Sequence, residues 1–490
     1  MARFDLAVVG AGPAGLSAAV TAAENGLTVA LVDAGTQPGG QFWRHPDEHH
    51  PRPDEGRGQH LWSRFTDLRT RLRALESGAA TAGRVELVVG HQVWFVETLA
   101  EGFMLHLSAT HGETRLPQVR AASLVLCPGG YDRQLPVPGW ELPGVMAAGG
   151  VQALLKAHRS VAGRRAVVAG TGPFLLPVAA GLAQAGADVV AICEAGSLSG
   201  WARSPLGAAG VPSKALEAVE YAALLARHRI PYRMRTVITA IRGESEVGSV
   251  GLGRLDRNGR LRTDVSLPDL DVDLVAFGWG FTPSLELVTA VGASTRVDVD
   301  ESLIADVDDW QRTDVPGAYV AGEATGVGGA LLAVAEGELA ALAASRDAGR
   351  PVSEARARSL QRQIARGRRF AATMHRAHPV PAGWQDWLEP DTTVCRCEET
   401  TLGEICAATK ELGATDARTV KLLARPGMGW CQGRVCGFAA AKLAIPVGEA
   451  LTASDLAPLA KRTFAAPVSL ETLATTPTES DSATSHDNDA

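Results

Sequence analysis

The sequence predicts an α/β protein with two dinucleotide-binding folds of the Rossmann type, followed by a small helical module that carries cysteines. Three observations predict this fold class. A glycine-rich turn follows an apolar strand near the N-terminus, and a related turn recurs near residue 170. Four of the seven cysteines fall between residues 395 and 436. With 490 residues, the chain is also long enough for several domains.

Composition and charge exclude several classes of protein. Apolar residues make up 46% of the chain, charged residues 21%, and the net charge is −7, without the basic excess that favours nucleic acid. The N-terminus enters an apolar strand, "FDLAVVG", without the basic region of a signal peptide. Glu336 and Glu338 interrupt the longest apolar stretch, so we expect no membrane span. We therefore expect a cytoplasmic protein whose clustered cysteines serve metal or redox chemistry.

The first glycine turn predicts a nucleotide site. Residues 4–33 are predicted to form strand, turn, helix and strand, with G-x-G-x-x-G formed by Gly10, Gly12 and Gly15. Asp33 closes the second strand 23 residues after Gly10. In this pattern Gly10 permits a tight turn, Gly12 lets the backbone approach a pyrophosphate, and Gly15 lets the helix pack on the strand. The acid at the end of the second strand binds ribose hydroxyls.

Two later segments favour FAD over NAD at this site. Cys127-Pro128-Gly129 and Gly322-Glu323 each follow an apolar strand, and they resemble segments of flavoprotein reductases with two dinucleotide domains of the glutathione-reductase type. In that family the second segment places an acid near the flavin ribityl chain and a helix N-terminus near the ring, where the helix dipole favours an anionic reduced flavin. Gly40 and Gln41 are candidate contacts beside the isoalloxazine, and an ordinary turn is the alternative.

The second glycine turn departs from the fingerprint. Gly170, Gly172 and Glu194 again follow the order turn, helix, strand and acid, but Leu175 occupies the third glycine position and Pro177 enters the first turns of the helix. Two interpretations stay open. The domain binds a second nucleotide, NAD(P) or ATP, or it is a retained scaffold with an altered or empty site. The domain has no C-x-x-C, which excludes a disulfide relay like that of thioredoxin reductase.

The cysteine spacing favours a [2Fe–2S] cluster. Such a cluster needs four thiolates, two on each iron, in a small dry pocket. Zinc is the main alternative, although the tight C-x-C spacing is awkward for a tetrahedral ion, and a thiol cluster without metal is a third. Thr401 and Glu404 form a capping-box pattern on the first of two helices between the pairs. The candidate ligands are Cys395, Cys397, Cys431 and Cys436, the last two at the start of a third helix.

Taken together, the flavin segments, "GTGP" and "CRCE…GMGWCQGRVC" resemble the large flavin and iron–sulfur subunits of bacterial dye-linked amino-acid dehydrogenases. That group includes the large flavoprotein chains of opine oxidase and hydrogen cyanide synthase, and the α chains of D-hydroxyproline and L-proline dehydrogenases. The cysteine module is similar to bacterioferritin-associated ferredoxin, which ends in C-x2-C rather than the C-x4-C found here. The resemblance covers residues 1–450. It implies a partner β subunit with its own flavin and, in some members, a small γ ferredoxin-like chain.

These patterns divide the chain into four predicted parts. The FAD domain covers residues 1–160 and 282–375, with the second nucleotide domain inserted at 161–281. The [2Fe–2S] module follows at 388–450, and an acidic, disordered tail occupies 472–490. The expected function is FAD and [2Fe–2S] electron transfer within a hetero-oligomeric amino-acid or opine dehydrogenase. A stand-alone NAD(P)H-dependent reductase that feeds a ferredoxin-like acceptor is the second hypothesis, and a non-enzymatic interaction module is the third.

Overall fold

The structure is a computed structural model. It describes residues 3–50, 56, 58–78, 83–114, 116–197, 199–202 and 212–475. Most of the predicted acidic tail, from residue 476 onwards, lies outside the described residues. The first residues of that predicted tail belong to a short helix, Leu470–Thr475.

Strands and helices both occur through the first 350 residues, and helices follow central strands of both large sheets, which confirms the predicted α/β class. In chain order the strands are β1 Arg3–Val9, β2 Thr28–Asp33, β3 Arg84–Val89, β4 His91–Leu99, β5 Gly102–Ala109, β6 Gln118–Leu126, β7 Gly130–Asp132, β8 Val145–Ala147, β9 Arg165–Gly170, β10 Asp188–Glu194, β11 Tyr232–Met234, β12 Thr236–Arg242, β13 Ser249–Arg254, β14 Leu270–Asp271, β15 Leu274–Gly278, β16 Phe281–Pro283, β17 Thr295–Val297, β18 Leu303–Ala305, β19 Ala318–Val320, β20 Thr393–Cys395 and β21 Thr400–Thr401.

The helices cover the faces of the sheets and form most of the C-terminal region. They are α1 Pro13–Glu24, α2 Trp62–Glu76, α3 Ala148–Ala153, α4 Leu175–Gln184, α5 Ser199–Ala202, α6 Pro212–Arg227, α7 Glu286–Ala290, α8 Ala330–Asp347, α9 Glu354–Ala377, α10 Leu402–Lys410, α11 Ala417–Ala424, α12 Gly437–Ala444, α13 Ala453–Ala460 and α14 Leu470–Thr475. A π-helical turn, Leu154–His158, continues α3. No helix in the described part of the chain combines the length and apolar character needed to cross a bilayer.

The first sheet is built around β1, which pairs in parallel with β2 and β6. β3 extends it beyond β2, and β19 pairs in parallel with the C-terminal half of β6. β4 and β5 add an antiparallel edge next to β6. The C-terminal ends of β1, β2, β6 and β19 therefore meet at one edge, where ligands bind in sheets of this kind.

The second sheet has the order β11-β10-β9-β15-β8, and all its pairs are parallel. Its edge strand β8 (Val145–Ala147) pairs with β15 and comes before residue 161, the predicted start of the second domain. β7 and β16 pair with each other and connect the two halves of the molecule. The domain boundaries at 160 and 281 otherwise stay predictions.

Close packing of α1 against α8 fixes the first glycine turn. α1 begins directly after Gly12 with Pro13 in its first turn, where the missing N–H costs no hydrogen bond. On α8, a Cβ at Gly337 would lie 2.0 Å from the carbonyl oxygen of Ala14, so only glycine fits at this crossing. A Cβ at Gly322 would lie 3.1 Å from the Ala14 Cβ. The segment after β19 is therefore held against the start of α1.

The cysteine module and the segment just before it pack on the two preceding domains through aromatic residues. The indole N–H of Trp140 donates to the Thr393 carbonyl at 2.6 Å. Trp387 stacks on Trp279 with ring centroids 6.2 Å apart, and the Arg133 guanidinium lies over the Phe438 ring. Within the module, the predicted Thr401–Glu404 capping box is confirmed at the start of α10. α12 begins after Cys436, while Cys431 lies in the preceding turn rather than in the helix.

Candidate functional site

The first glycine turn has a separate steric reason for each glycine. Gly10 has φ +97°, and a Cβ there would lie 2.3 Å from the Cys127 carbonyl oxygen. A Cβ at Gly15 would lie 1.6 Å from the Gly10 carbonyl oxygen, so glycine lets α1 approach β1. A Cβ at Gly12 would meet only the Gly40 Cα, at 4.0 Å. Gly10 and Gly15 thus serve the fold, whereas Gly12 leaves open space in front of the helix.

Asp33 is held at the end of β2 by backbone donors. Its carboxylate accepts from the Ala11 N–H at 2.5 Å and from the Gly35 N–H at 2.6 Å. Burial raises the pKa of Asp33, and these two N–H groups and the nearby Arg44 oppose that shift. The carboxylate therefore lies next to the glycine turn, in the position that the fingerprint requires.

The 37–44 loop closes on the same turn. The Gly39 N–H donates to the Ala11 carbonyl at 2.8 Å. Gly40 has φ +59°, and a Cβ there would lie 2.8 Å from the Gly12 Cα. The Gln41 amide oxygen accepts from the Arg44 guanidinium at 2.5 Å. Gly40 and Gly12 thus face the same space.

The two other predicted flavin segments meet each other. Gly129 has φ +74°, and no atom lies within 4 Å of the position that a Cβ would take there, so its surroundings are open. A Cβ at Gly130 would lie 3.5 Å from the Glu323 carboxylate, which places the two segments side by side. Burial raises the pKa of Glu323 to about 7. Gly322 has φ +84°, and its N–H donates to the Glu336 carboxylate at 2.9 Å.

A cavity of about 2170 Å³ joins these segments. Sites for drug-sized ligands measure roughly 300–1,000 Å³, so this cavity has room for an extended dinucleotide. Its wall continues to the second glycine turn at Thr171 and Gly172 and to Arg434 of the cysteine module. The predicted residues that line it are Gly10, Gly12, Asp33, Gly40, Gln41, Gly129, Gly172, Gly322 and Glu323.

The second glycine turn uses its acid internally. Glu194 is 1% exposed, and it accepts from the Gly172 N–H at 2.9 Å and the Thr171 hydroxyl at 3.1 Å. His378 lies 3.6 Å away, and its other ring nitrogen accepts from the Trp201 indole at 2.9 Å. Burial opposes ionisation, but the nearby His378 and hydrogen bonds from backbone N–H groups hold the pKa of Glu194 below its ordinary value.

Two other residues of the second turn lie behind the cavity wall. A Cβ at Gly170, which has φ +141°, would lie 2.0 Å from the Gly278 carbonyl oxygen. Leu175 is fully buried, and α4 begins there, two residues later than the start of α1 relative to its own turn. Of the three residues proposed for a second nucleotide, Gly172 reaches the cavity, and Gly170 and Glu194 are not among its lining residues.

The four predicted ligand cysteines lie together. Cys395 and Cys436 are 1% and 2% exposed, and the hydrogen bond between their thiols lowers the pKa of Cys395 and raises that of Cys436. Cys397, which is exposed, shares a hydrogen bond with half-buried Cys431. The Gly427 N–H donates to the Cys395 sulfur at 3.4 Å. Across the described residues, however, no group of three or more His, Cys, Asp or Glu side chains is arranged to hold a metal ion.

Sequence reasoning missed a buried ion pair beneath the flavin segments. Glu336 on α8 is fully buried, and its carboxylate accepts from Arg368 on α9 at 2.5 Å. Arg368 also donates to the Gly326 carbonyl. The Glu336–Arg368 pair therefore fixes the turn after β19. A signal for this pair exists in the sequence, because Glu336 interrupts an otherwise apolar helix.

Residues 4–343 match the family model described as pyridine nucleotide-disulphide oxidoreductase, more than half of the chain. The chain belongs to this family and is a flavin-dependent oxidoreductase. The A chain of opine oxidase from Agrobacterium tumefaciens is 31% identical, over 97% of this chain and 92% of that protein. The HcnB chain of hydrogen cyanide synthase from Pseudomonas aeruginosa is 30% identical, over 90% of this chain and 93% of that protein. The resemblance predicted from the motifs is confirmed.

A solved structure has a fold similar to that of this chain. L-proline dehydrogenase from P. horikoshii superposes with a TM-score of 0.66 at 19% identity, covering 96% of this chain and 79% of that one. At this identity the match concerns the fold. It covers the C-terminal region as well as the two nucleotide-type folds.

Proposed function

We propose that this chain is the FAD and [2Fe–2S] electron-transfer subunit of a hetero-oligomeric, dye-linked dehydrogenase that oxidises an amino acid, imino acid or opine. The observation that carries the proposal is the position of four interacting cysteine thiols in a module packed on the wall of the flavin-type cavity. A flavin takes up two electrons together and releases them singly, and a [2Fe–2S] cluster carries one. A protein with both groups converts one type of transfer into the other.

The residues of the first domain fit FAD. Gly12 and Gly40 leave space where a Cβ would intrude, which suits the approach of a pyrophosphate. We therefore assign Gly40 to the pyrophosphate rather than to the isoalloxazine. Asp33 would bind the ribose of the adenosine, and Gly129, Gly322 and Glu323 would line the flavin half.

The cysteine module fits a two-iron cluster better than a single ion. A single zinc ion needs four donors around one point, and the tight C-x-C spacing of Cys395 and Cys397 is awkward for that geometry. A [2Fe–2S] cluster needs two pairs of thiolates instead, and the thiols here interact as pairs. The chain packs closely around these thiols, because a Cβ at Gly429 would lie 2.4 Å from the Cys397 Cβ. We assign Cys395, Cys397, Cys431 and Cys436 as the ligands.

The relatives support a partner chain. The relatives from Agrobacterium tumefaciens and Pseudomonas aeruginosa are subunits by name, one of an opine oxidase and the other of a hydrogen cyanide synthase. By this analogy a β subunit with its own flavin oxidises the CH–NH bond of the substrate, and a small γ ferredoxin-like chain is a further candidate partner. We place the complex in the cytoplasm, where the cluster thiols stay reduced.

The second hypothesis, an NAD(P)H-dependent reductase, needs a working second nucleotide site. The acid that would bind a ribose there, Glu194, accepts from two backbone N–H groups as Asp33 does, but it also accepts from the Thr171 and Tyr232 hydroxyls and lies 3.6 Å from His378. A ribose would have to displace these side-chain groups before it gained any contact. This argues for the scaffold interpretation of the second domain and for an electron donor elsewhere.

The test is anaerobic reduction of the purified full chain. NADH and then NADPH are added, and flavin absorbance and the EPR signal of a reduced [2Fe–2S] centre are followed, with dithionite as the final reductant. We expect dithionite to reduce both centres and neither nucleotide to bleach the flavin. Rapid bleaching by a nucleotide would establish the reductase instead. A protein that binds no iron after reconstitution, and whose four proposed ligand thiols stay free, would refute the cluster.

A further inference from the structure

A buried network of charged and hydroxyl groups lies between the Cys431–Cys436 loop and the cavity that we assign to FAD. At its centre is Glu286, whose side chain is 6% exposed. One carboxylate oxygen lies 3.0 Å from the Arg434 Nε and 2.9 Å from an Arg462 nitrogen. It also accepts from the Tyr131 hydroxyl at 3.1 Å, while the other oxygen accepts from the Ser284 hydroxyl at 2.8 Å.

Arg434 connects three separate segments of the chain. Its Nε donates to the Tyr131 hydroxyl at 2.8 Å. Tyr131 lies two residues after Gly129, in one of the predicted flavin segments. One terminal nitrogen donates to the Cys431 carbonyl at 3.4 Å, and the other to the Ala465 carbonyl at 2.5 Å. A planar guanidinium with five donors reaches all these acceptors at once, which the single ammonium of lysine does not.

The network leaves an excess of positive charge beside the cysteines. Two guanidinium groups share one carboxylate, and both act electrostatically on Cys431. Arg434 and Arg462 are 17% and 11% exposed, so solvent screens them less than it would at the surface. Glu286, Arg434 and Tyr131 also line the cavity. The charge therefore lies between the proposed cluster and the proposed flavin.

We propose that Arg434 is a positioning residue for the iron–sulfur cluster: it fixes the Cys431–Cys436 loop to the cavity wall and favours the reduced, more negative state of the cluster. This inference rests on the proposed function, because it concerns the cluster assigned there. It adds that Arg434, which lies between the third and fourth ligands in sequence, supplies with Arg462 the positive charge between the two centres. Glu286 opposes the charge of Arg434 and so sets the effect in the other direction.

The test is a redox titration of the full chain, purified anaerobically, with the cluster followed by EPR and the flavin by absorbance. Arg434→Met removes the charge and keeps the aliphatic stem, and Arg434→Lys keeps the charge. Glu286→Gln removes the opposing charge. Arg425→Met is the matched control, because Arg425 carries the same charge on the same module but is 64% exposed and pairs with Glu398.

The expected shifts differ in sign. In Arg434→Met the cluster becomes harder to reduce, and its ratio of reduced to oxidised form falls on the order of tenfold at the wild-type midpoint, as loss of a half-buried unit charge predicts. Glu286→Gln moves the midpoint in the opposite direction, and Arg434→Lys, which keeps the charge but not the five-donor geometry, shifts it less than Arg434→Met does. Arg425→Met leaves it unchanged.

Other combinations of results would overturn the inference or separate it from the proposed function. An intact cluster with a wild-type midpoint in both Arg434→Met and Glu286→Gln shows that the network is structural only. If Arg434→Met does not fold, Glu286→Gln still decides, because a shift towards easier reduction supports the inference and no shift refutes it. A wild-type chain that contains no cluster refutes the proposed function itself, which these variants distinguish from failure of the Arg434 assignment.

Discussion

Gly12→Val separates the role of the glycine turn in binding from its role in folding. In the structure a Cβ at Gly12 meets only the Gly40 Cα, at 4.0 Å, which is ordinary van der Waals contact. Gly12 is the N-cap of α1 and makes no side-chain capping bond, so valine removes none. We expect the apo-protein to lose no more than about 1 kcal/mol of stability, the usual range for an unfavourable N-cap.

The valine methyl groups extend into the space that we assign to the FAD pyrophosphate. Overpacking a filled site costs roughly 1–3 kcal/mol. At 1.4 kcal/mol for each tenfold change, the Kd for FAD should rise roughly 5- to 150-fold. The assay is titration of apo-protein with FAD, followed by quenching of flavin fluorescence, alongside thermal unfolding of the same apo-protein.

Gly15→Ala is the comparator with the opposite pattern. Its Cβ would lie 1.6 Å from the Gly10 carbonyl oxygen, so α1 must move away from β1. We expect the apo-protein to lose roughly 1–3 kcal/mol or more. A Gly12→Val protein that binds FAD as tightly as wild type would refute the assignment of the first site. Equal destabilisation by both changes would refute the division between fold and site.

Three further predictions concern other parts of the molecule. Cys431→Ser should abolish the iron signal and retain FAD, whereas Cys406→Ser, on α10, should keep both; loss of iron in both variants would contradict the ligand assignment. Burial raises the pKa of Glu323 from 4.5 to about 7, so the stability that its protonated form contributes is lost as pH rises through 7. Glu323→Gln apo-protein should therefore match wild type near pH 4.5 and exceed its stability by roughly 1–3 kcal/mol at pH 8, and a gap that does not change with pH in thermal unfolding would count against this. The pKa of Glu194 is lowered, so its contribution is present above pH 4.5 and lost as pH falls. Glu194→Gln should cost about 2–4 kcal/mol at pH 7 and progressively less as pH falls below 4.5, measured in the same way; a cost that grows in acid would be inconsistent with the hydrogen bonds described.

The parts of the fold that the sequence predicted are those set by local pattern. The strand before Gly10, the turn and α1 follow from apolar runs and glycine positions that lie within 30 residues of each other. The capping box at Thr401 and Glu404 is likewise local, with both partners three residues apart. Such features depend on the backbone of one segment, and that segment is continuous in the sequence.

The parts that the sequence did not predict depend on long-range partners. β8 joins the second sheet because it pairs with β15, which lies about 130 residues further along the chain. Arg368 reaches Glu336 from the next helix, and its arginine-rich surroundings on α9 give no sign of which side chain turns inward. In sequence Arg434 is only a residue between two ligands, because its partners Tyr131 and Glu286 come from a distant part of the chain.

Glu194 illustrates why a fingerprint predicts a fold better than it predicts a ligand. The pattern requires an acid at the end of the second strand, and the structure has one in that position. An acid there is stable only if donors surround it, and a bound ribose is one source of donors. In this chain the glycine turn supplies the N–H groups, and His378, from the end of α9, lies beside the acid. The residue type follows from the fold, whereas its partner follows from a segment that the fingerprint does not include.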